Sequence, residues 1–299
     1  MTTNTSDINL NWNISLAVQA ACILEADAPK VGNVNRFHDF ADCCLEDFHF
    51  SALAVAHPFG FIEKQGVGLT VYKAIKATQA LVKTNTNLGI VLLIAPLAMA
   101  WCRTKEKQSW LKEIGNVLEG LTIEDTAYVY QAIRLASPSG MGKVKEHDVF
   151  NEQSADIPLQ EAMKLAADRD MIARQYINNF EQVLEIGYKA LGDALTKGLS
   201  LPKAIAHTHL FLLTQYPDSL IVRKSGLEKG KEVQTFAQKV WERGGWLTPE
   251  GQAYVQEFDH WLRKSGKALN PGTTADLMAA IIFVYLLEKK YLGDMEMVR

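Results

Sequence analysis

The stretch LGIVLLIAPLAMAW, from Leu88 to Trp101, is the longest apolar run in this sequence of 299 residues. It is shorter than the roughly 20 residues that a helix needs to cross a bilayer. Pro96 interrupts the run, and a proline inside a helix kinks the backbone. A helix that is apolar on every side has to be buried. The run therefore predicts a kinked helix in the core of a globular protein, and no membrane span.

Helical spacing of apolar residues dominates on both sides of this run. Ile14, Val18 and Ala21 recur three and four residues apart, as on one face of a helix. Similar stripes predict helices at 40–56, 68–82, 110–118, 123–136, 201–215, 233–241, 249–264 and 274–292. Residues 159–195 predict one long helix or two in tandem, and residues 220–223 predict a short extended piece. The sequence thus indicates an all-α protein, with a single domain of packed helices over residues 1–299.

Composition and charge exclude several classes of function. Hydrophobic residues make up 48% of the sequence and charged residues 22%, as in ordinary globular proteins. The formal net charge of -3 gives no basic field for nucleic acid. Residues 1–13 lack the basic-then-apolar pattern of a signal peptide, and the four cysteines form no CxxC pair. These features predict a cytoplasmic protein with reduced thiols. A homo-oligomer is compatible with them.

The first polar cluster joins two predicted helices. Glu25 ends one helix, Lys30 and Arg36 lie in a loop rich in glycine and asparagine, and Asp39 precedes the next helix. Asp39 can simply cap that helix. Alternatively, Glu25 and Asp39 hold Mg²⁺, the hard cation that accompanies polyphosphates. In that hypothesis Lys30 and Arg36 neutralise phosphate oxygens.

The second polar cluster, Asn85-Thr86-Asn87, precedes the apolar helix. Amides at the entry of a buried helix are costly unless they form hydrogen bonds. A helix N-terminus with amide side chains beside it can bind phosphate, so Asn85 and Asn87 are candidate substrate ligands. Capping of the helix by Thr86 or Asn87 is an equally good interpretation.

The third cluster is an acidic and basic motif inside residues 159–195. Asp170 and Arg174 are one helical turn apart and fall on the same face. An exposed ion pair at this spacing contributes only about a few tenths of a kcal/mol, which is the ordinary interpretation. The alternative is a stripe that faces a central cleft. Arg169 and Arg174 would then clamp phosphates, while Ile172 and Tyr176 anchor the helix.

Other cations and loops complete the polar inventory. Arg134 precedes a loop with Gly140 and Gly142, which is too ordinary to count as a Walker phosphate loop. Arg223 and Lys224 follow a turn and place two cations together.

The last polar cluster opens the final predicted helix. Thr273 and Thr274 are natural caps for it, and Asp276 suits the positive end of the helix dipole. A structural role is the better single interpretation of these residues.

These segments, in this order, resemble the triphosphoribosyl-dephospho-coenzyme A synthase family over residues 17–287. The resemblance implies an all-helical enzyme that joins the triphosphoribosyl part of ATP to a ribose hydroxyl of dephospho-coenzyme A and releases adenine, with Mg²⁺ on the triphosphate. The hypothesis assigns catalysis to Asp170, Arg174 and Asp39, substrate binding to Lys30, Asn85, Asn87, Arg134, Arg169, Arg223 and Lys224, and the metal to Glu25 and Asp39. The motifs that carry the resemblance are PKVG at 29–32, FHFSA at 48–52, NTNLG at 85–89, DRD at 168–170 and PGTTADL at 271–277.

The sequence departs from the family pattern at three positions. Val31 stands where the family often has proline, and Asn87 and Leu88 stand where it often has histidine and lysine. A titratable group and a cation are thus replaced by a neutral amide and an apolar side chain. The acceptor is consequently not fixed by the sequence.

Two other functions remain open at this point. A metal-dependent phosphohydrolase would use the pairs His38-Asp39 and His147-Asp148. A non-catalytic nucleotide-binding protein would keep the fold without the chemistry. Released adenine indicates ribosyl transfer, released phosphate indicates hydrolysis, and binding without turnover indicates the third function.

Overall fold

The computed structural model describes residues 12–103, 110–138, 149 and 155–288. Helices make up 74% of the structure, which confirms the all-α prediction. Within the described ranges there is no strand, only two isolated bridges, Asn35–His38 and Phe40–Cys43. The α-helices in these ranges are α1 Trp12–Asp27, α2 Leu45–Gly60, α3 Ile62–Gln65, α4 Val67–Leu81, α5 Leu88–Arg103, α6 Trp110–Glu119, α7 Ile123–Ala136, α8 Leu159–Lys164, α9 Met171–Gln175, α10 Tyr188–Thr196, α11 Leu201–Gln215, α12 Ser219–Ser225, α13 Leu227–Glu242, α14 Pro249–Arg263 and α15 Gly272–Glu288.

Helices α5 and α15 pack against each other at the centre of the fold. Every residue of α5 from Leu88 to Ala100 is buried, including Pro96 inside the helix. In α15 all residues from Thr273 to Leu287 are buried except Asp276. Such helices have no polar face, so neighbouring helices have to cover them on all sides. The burial of α5 confirms the core position predicted for the apolar run.

The remaining helices form the cover of this central pair. Helix α1 packs on α15 and α2, and α4 packs on α2, α5 and α7. Helix α11 contacts α15 on one side and α13 on the other. A smaller apolar cluster built around Leu210, Phe258 and Leu262 lies between α11, α13 and α14. None of the helices in the described part of the chain is long and apolar enough to cross a bilayer.

The region predicted as one long helix or two in tandem, residues 159–195, is broken into shorter pieces. Helices α8 and α9 are followed by a π-helical turn, Gln182–Gly187, which leads into α10. Asn179 and Phe180 adopt φ values of 56° and 61°, a left-handed conformation that no α-helix accommodates. The apolar stripe survives these breaks because Tyr176 and Phe180 are still buried.

The prediction of an extended piece at 220–223 was wrong, because these residues lie inside α12. The composition of this segment suggests a strand, because it contains Leu220, Ile221 and Val222. The side chain of Asp218 nevertheless caps it as a helix. The prediction at 40–56 also began too early. Helix α2 starts only after Cys44, where the side chain of Asp47 accepts the Cys44 N–H at 2.9 Å.

Candidate active site

The entry of α5 carries the two amides that were predicted to bind substrate. Asn85 Oδ1 accepts a hydrogen bond from the N–H of Leu88 at 3.2 Å, so Asn85 caps the helix, and not Thr86 or Asn87. Asn87 is 4% exposed, and its Nδ2 donates to Thr78 Oγ1 at 3.0 Å. Its Oδ1 is buried and finds no donor among the described residues. An unpaired buried acceptor costs about 1–3 kcal/mol, so this atom stands out.

Asp218 is a buried carboxylate that joins two helix starts. Its Oδ1 accepts the N–H groups of Leu220 and Ile221 at 2.9 and 3.0 Å, at the start of α12. Its Oδ2 accepts the N–H and the hydroxyl of Thr274 at 2.7 and 2.8 Å, at the start of α15. Burial raises the pKa of Asp218, and the bonds from Thr274 oppose that rise. Asp218 therefore caps α15, which had been predicted for Thr273 or Thr274.

Asp170 is the N-cap of α9 and also an ion-pair partner. Its Oδ1 accepts the N–H groups of Ile172 and Ala173 at 2.8 and 3.3 Å. Its Oδ2 lies 3.3 Å from Arg223 Nη1. Arg174 instead donates to backbone carbonyls of the preceding turn. The predicted pairing of Asp170 with Arg174 along one helical face is therefore wrong, since Asp170 lies outside the helix and pairs with α12.

Ser219 connects the starts of three helices. The N–H of Met171 donates to Ser219 Oγ at 3.3 Å, and that hydroxyl donates to Thr273 Oγ1 at 3.0 Å. The first turns of α9, α12 and α15 therefore share one hydrogen-bond network. A helix N-terminus leaves N–H groups without partners, and side-chain oxygens satisfy several of them here.

The start of α5 lies beside this network, in contact with Asp276 of α15. A Cβ atom added to Gly89 would collide with Oδ2 of Asp276, so glycine is the residue that lets this carboxylate approach α5. We call Gly89, Asp170, Asp218, Arg223 and Asp276 the helix-start cluster. It is the place where the N-terminal ends of α5, α9, α12 and α15 meet.

Asp276 has the most perturbed environment of the cluster. Burial raises its pKa well above the usual range, and the negative charges of Glu25, Asp218 and Asp170 raise it further, while Arg223 lowers it. The sequence interpretation gave Asp276 only a structural role. The sequence did indicate that Asp276 has a further role, because it is the only charged side chain between Gly272 and Leu287.

Glu25 and Lys30 form a buried ion pair, and the charge of Glu25 acts on Asp276 of the cluster. Lys30 Nζ lies 3.0 Å from Glu25 Oε1, and it also donates to the carbonyl oxygens of Glu25, Ala28 and Val34. Burial raises the pKa of Glu25 and lowers that of Lys30, and the attraction between them opposes both shifts. The ammonium group thus has acceptors inside its own loop. This geometry makes Lys30 a structural cation, and its predicted contact with phosphate stays a prediction.

The two residues predicted to share Mg²⁺ lie in different surroundings. Glu25 is buried against Lys30, whereas Asp39 is at the surface, where its Oδ1 accepts the N–H of Leu45 at 2.9 Å. Asp39 thereby takes the capping role at α2 that was its alternative interpretation. In the described residues no three His, Cys, Asp or Glu side chains form a group that could hold a metal. The catalytic role of Asp39 stays a prediction.

Three predicted phosphate ligands form their hydrogen bonds outside the helix-start cluster. Arg169, Lys224 and Arg134 each donate to a backbone carbonyl, at 2.9, 3.4 and 2.6 Å. Arg134 lines a surface depression with Tyr72 and Gln131, between α4 and α7. Among the described residues none of these three cations forms a hydrogen bond or ion pair with a side chain of the helix-start cluster.

Part of the phosphohydrolase hypothesis falls outside the described residues. The described residues do not include His147 and Asp148 of that hypothesis. They also do not include Gly140 and Gly142 of the loop after Arg134. His38, the other histidine of the hypothesis, forms a backbone bridge with Asn35.

These observations define a class: an all-helical protein with an acidic cluster where four helix N-termini meet. A protein-family comparison identifies the family. The CitG family model, ATP:dephospho-CoA triphosphoribosyl transferase, matches residues 11–294, and the chain belongs to this family. The family confirms the resemblance seen in the motifs, and nothing in the comparisons supports the phosphohydrolase or the non-catalytic alternative.

Individual relatives have related descriptions. A Vibrio cholerae protein described as a 2-(5''-triphosphoribosyl)-3'-dephosphocoenzyme-A synthase is 36% identical over 105 residues, or 35% of this chain and 33% of the relative. The Malonomonas rubra protein of that name is 32% identical over 111 residues, covering 36% and 34% of the two chains. The matched segment thus spans about a third of the length of these relatives. The crystal structure of an Archaeoglobus fulgidus protein described as a triphosphoribosyl-dephospho-coA synthase superposes with a TM-score of 0.61 at 26% identity, over 80% of this chain and 97% of that one.

Proposed function

We propose that this protein transfers the triphosphoribosyl group of ATP to a hydroxyl of dephospho-coenzyme A and releases adenine. The observation that carries the proposal is the family match over residues 11–294. The names of the relatives describe the product of the same reaction.

The charge of the helix-start cluster suits this chemistry. Asp170, Asp218 and Asp276 outnumber the single cation Arg223, and of these acids Asp218 is buried while Asp170 and Asp276 are partly buried. Ribose C1′ gains positive character as adenine departs, and fixed negative groups in a dry site stabilise such a charge. An acidic cluster would repel the triphosphate. We therefore place the ribose beside Asp276 and the phosphates on the Arg223 side of the cluster, at α12.

Cations near α12 are the best candidates for the triphosphate. Burial lowers the pKa of Lys224, and the neighbouring charges of Lys267 and Arg223 lower it further. An anion bound among these three cations would relieve their repulsion. Arg174 uses Nε and Nη2 on backbone carbonyls, and its Nη1 contacts no acceptor among the described residues. We propose Arg174, Arg223 and Lys224 as phosphate ligands.

The remaining predicted ligands complete the proposal. The substrates are bordered by Asn85, Asn87 and Arg169. A second substrate-binding region, on α7, contains Arg134. Mg²⁺ enters with ATP and is held mainly by phosphate oxygens, because Glu25 is paired with Lys30 and Asp39 caps α2. We place the enzyme in the cytoplasm and leave a homo-oligomer as part of the proposal.

The test is a product analysis with the purified protein. ATP, Mg²⁺ and dephospho-coenzyme A are incubated with it, adenine is measured by chromatography, and the conjugate by mass spectrometry. Adenine and conjugate in equal amounts support the proposal. Phosphate without adenine, or no turnover while ATP raises the melting temperature, would replace it with hydrolysis or binding alone.

A further inference from the structure

We propose, building on the proposed function, that Asp276 is the acid–base residue of the transfer. It gives a proton to the departing adenine and then receives the proton of the attacking hydroxyl. The proposal adds a catalytic residue that neither the motifs nor the relatives' names assign.

The first argument is that, of Asp276 and the three acids whose charges act on it, only Asp276 has no hydrogen bond or ion pair that serves the fold. Asp218 accepts four hydrogen bonds, Asp170 caps α9 and pairs with Arg223, and Glu25 binds Lys30. Among the described residues Asp276 has no hydrogen-bond donor or ion-pair partner. A carboxyl group held in place without a protein partner is available to a substrate.

The second argument is the position of the side chain in α15. It is the one residue between Thr273 and Leu287 that is only partly buried, so some of its surface is accessible from outside an otherwise closed helix. Gly89 makes room for Oδ2 on the side of α5. A small group can therefore approach Asp276 at the junction of two rigid helices. Rigid helices hold a reacting group in a well-defined position.

The third argument comes from Asn87, which lies at the same helix entry two residues before Gly89. Its Oδ1 is buried and has no donor in the described part of the chain. The amino group of adenine and the ribose hydroxyls are donors of the kind that this oxygen lacks. A ligand bound between the entry of α5 and Asp276 would supply that bond.

The surroundings of Asp276 suit an acid that is protonated before the reaction. Glu25 and Cys22 face it from α1, Asp170 precedes α9, and Asp218 and Arg223 face it from the region of α12. Three of these groups are carboxylates, and burial and their charges raise the pKa of Asp276. General acids work best when their pKa lies near the working pH.

Atoms, protons and electron pairs balance in this transfer with Asp276 as the only proton donor and acceptor. The C1′–N9 bond of ATP breaks, its electron pair stays on adenine, and the proton of Asp276 goes to the base. An electron pair of the acceptor hydroxyl oxygen forms the new bond to C1′. The hydroxyl proton passes to the Asp276 carboxylate, which regains its starting form. Adenine and the ribosylated acceptor are the only products.

The experiment compares wild type with Asp276→Asn, Asp276→Glu and Gly89→Ala, using ATP, Mg²⁺ and dephospho-coenzyme A. We expect Asp276→Asn to lower kcat for adenine release by about a hundredfold or more, and to leave the calorimetric Kd for Mg-ATP within about threefold. Gly89→Ala displaces the carboxyl group and should also lower kcat. Asp193→Asn removes an exposed carboxylate on α10 and should leave kcat unchanged.

The pH profile separates catalysis from a structural role. Wild-type kcat/KM should fall at high pH as Asp276 loses its proton, and this limb should disappear in Asp276→Asn but persist in Asp276→Glu. A value of kcat for Asp276→Asn within about threefold of wild type, or an unchanged high-pH limb, overturns the proposal. If Asp276→Asn does not fold, a Gly89→Ala variant that folds with wild-type kcat overturns it. If the wild-type protein releases no adenine, the proposed function itself is wrong.

Discussion

A single carboxylate, that of Asp218, holds the N–H and hydroxyl of Thr274 on one oxygen and the first N–H groups of α12 on the other. Two helix starts that are 54 residues apart in sequence, Ser219 and Thr273, are joined at the same point by a hydroxyl contact. The orientation of α12 relative to α15, and with it the position of Arg223, therefore depends on Asp218.

Replacing Asp218 should be costly for stability. Asp218→Ala leaves four buried donors without an acceptor, and we expect the free energy of unfolding to fall by about 2–4 kcal/mol. Asp218→Asn keeps one acceptor oxygen and should cost less. Urea unfolding followed by circular dichroism measures both. A loss below about 0.5 kcal/mol for Asp218→Ala would show that the caps are dispensable.

Two glycines near each other in sequence should respond to alanine in opposite ways. A Cβ on Gly187 would collide with Cδ1 of Ile281 in α15, whereas a Cβ on Gly192 meets nothing within 4 Å. We expect Gly187→Ala to lower the free energy of unfolding by about 1–3 kcal/mol through overpacking. Gly192→Ala, inside α10, should raise it by about 0.5–1 kcal/mol. Thermal unfolding of the two variants provides the comparison, and equal effects would contradict the packing described for the π-helical turn.

Asp170 and Arg174 should affect turnover more than stability. The Asp170–Arg223 pair is partly exposed, and such pairs contribute less than about 1 kcal/mol. If both residues serve the reaction, Asp170→Asn and Arg174→Ala should each lower adenine release about a hundredfold or more while the fold is kept. Melting temperature and adenine release are measured on the same samples. Near-normal release from both variants would leave these residues with only the cap and carbonyl contacts seen here.

The buried His209 should make the protein sensitive to acid. Burial lowers the pKa of His209 to about 3, from 6.5. Between these values the unfolded chain binds a proton that the folded chain does not, so stability falls as the pH falls below about 6.5. The full effect approaches roughly 4 kcal/mol near pH 3. His209→Leu should flatten the fall in melting temperature between pH 6.5 and 4. His260→Gln, an exposed change on α14, should leave the slope of wild type, and an equal slope in both variants would contradict the assignment.

Much of the fold could be predicted from the sequence because long amphipathic or apolar stripes report helices directly. The helices at 123–136 and 201–215 coincide with α7 and α11. Breaks were harder to predict where they depend on tertiary contacts. The left-handed residues Asn179 and Phe180 leave the apolar stripe intact, and the β-branched residues of 220–223 form a helix because Asp218 caps them.

The candidate site was less accessible to sequence reasoning. Asp170 and Arg174 satisfied the four-residue spacing, but spacing is silent on a partner 53 residues away such as Arg223. Lys30 carried a charge and was expected to meet phosphate, although it is 1% exposed and bound within its own loop. Asp276 had an ordinary explanation in the helix dipole. In the structure, the close approach of its carboxyl group to Gly89 of α5 points beyond that explanation.

The central position of α15 has a consequence for biosynthesis. Residues 272–288 leave the ribosome after every other described helix, yet they fill the space between α1, α5 and α11. Until they emerge, the apolar faces that will enclose them have no partner, and exposed surface of this kind favours aggregation. The nascent chain thus completes this part of its core with α15, and the same event brings Asp276 to Gly89. Closure of the core and assembly of the helix-start cluster are one step.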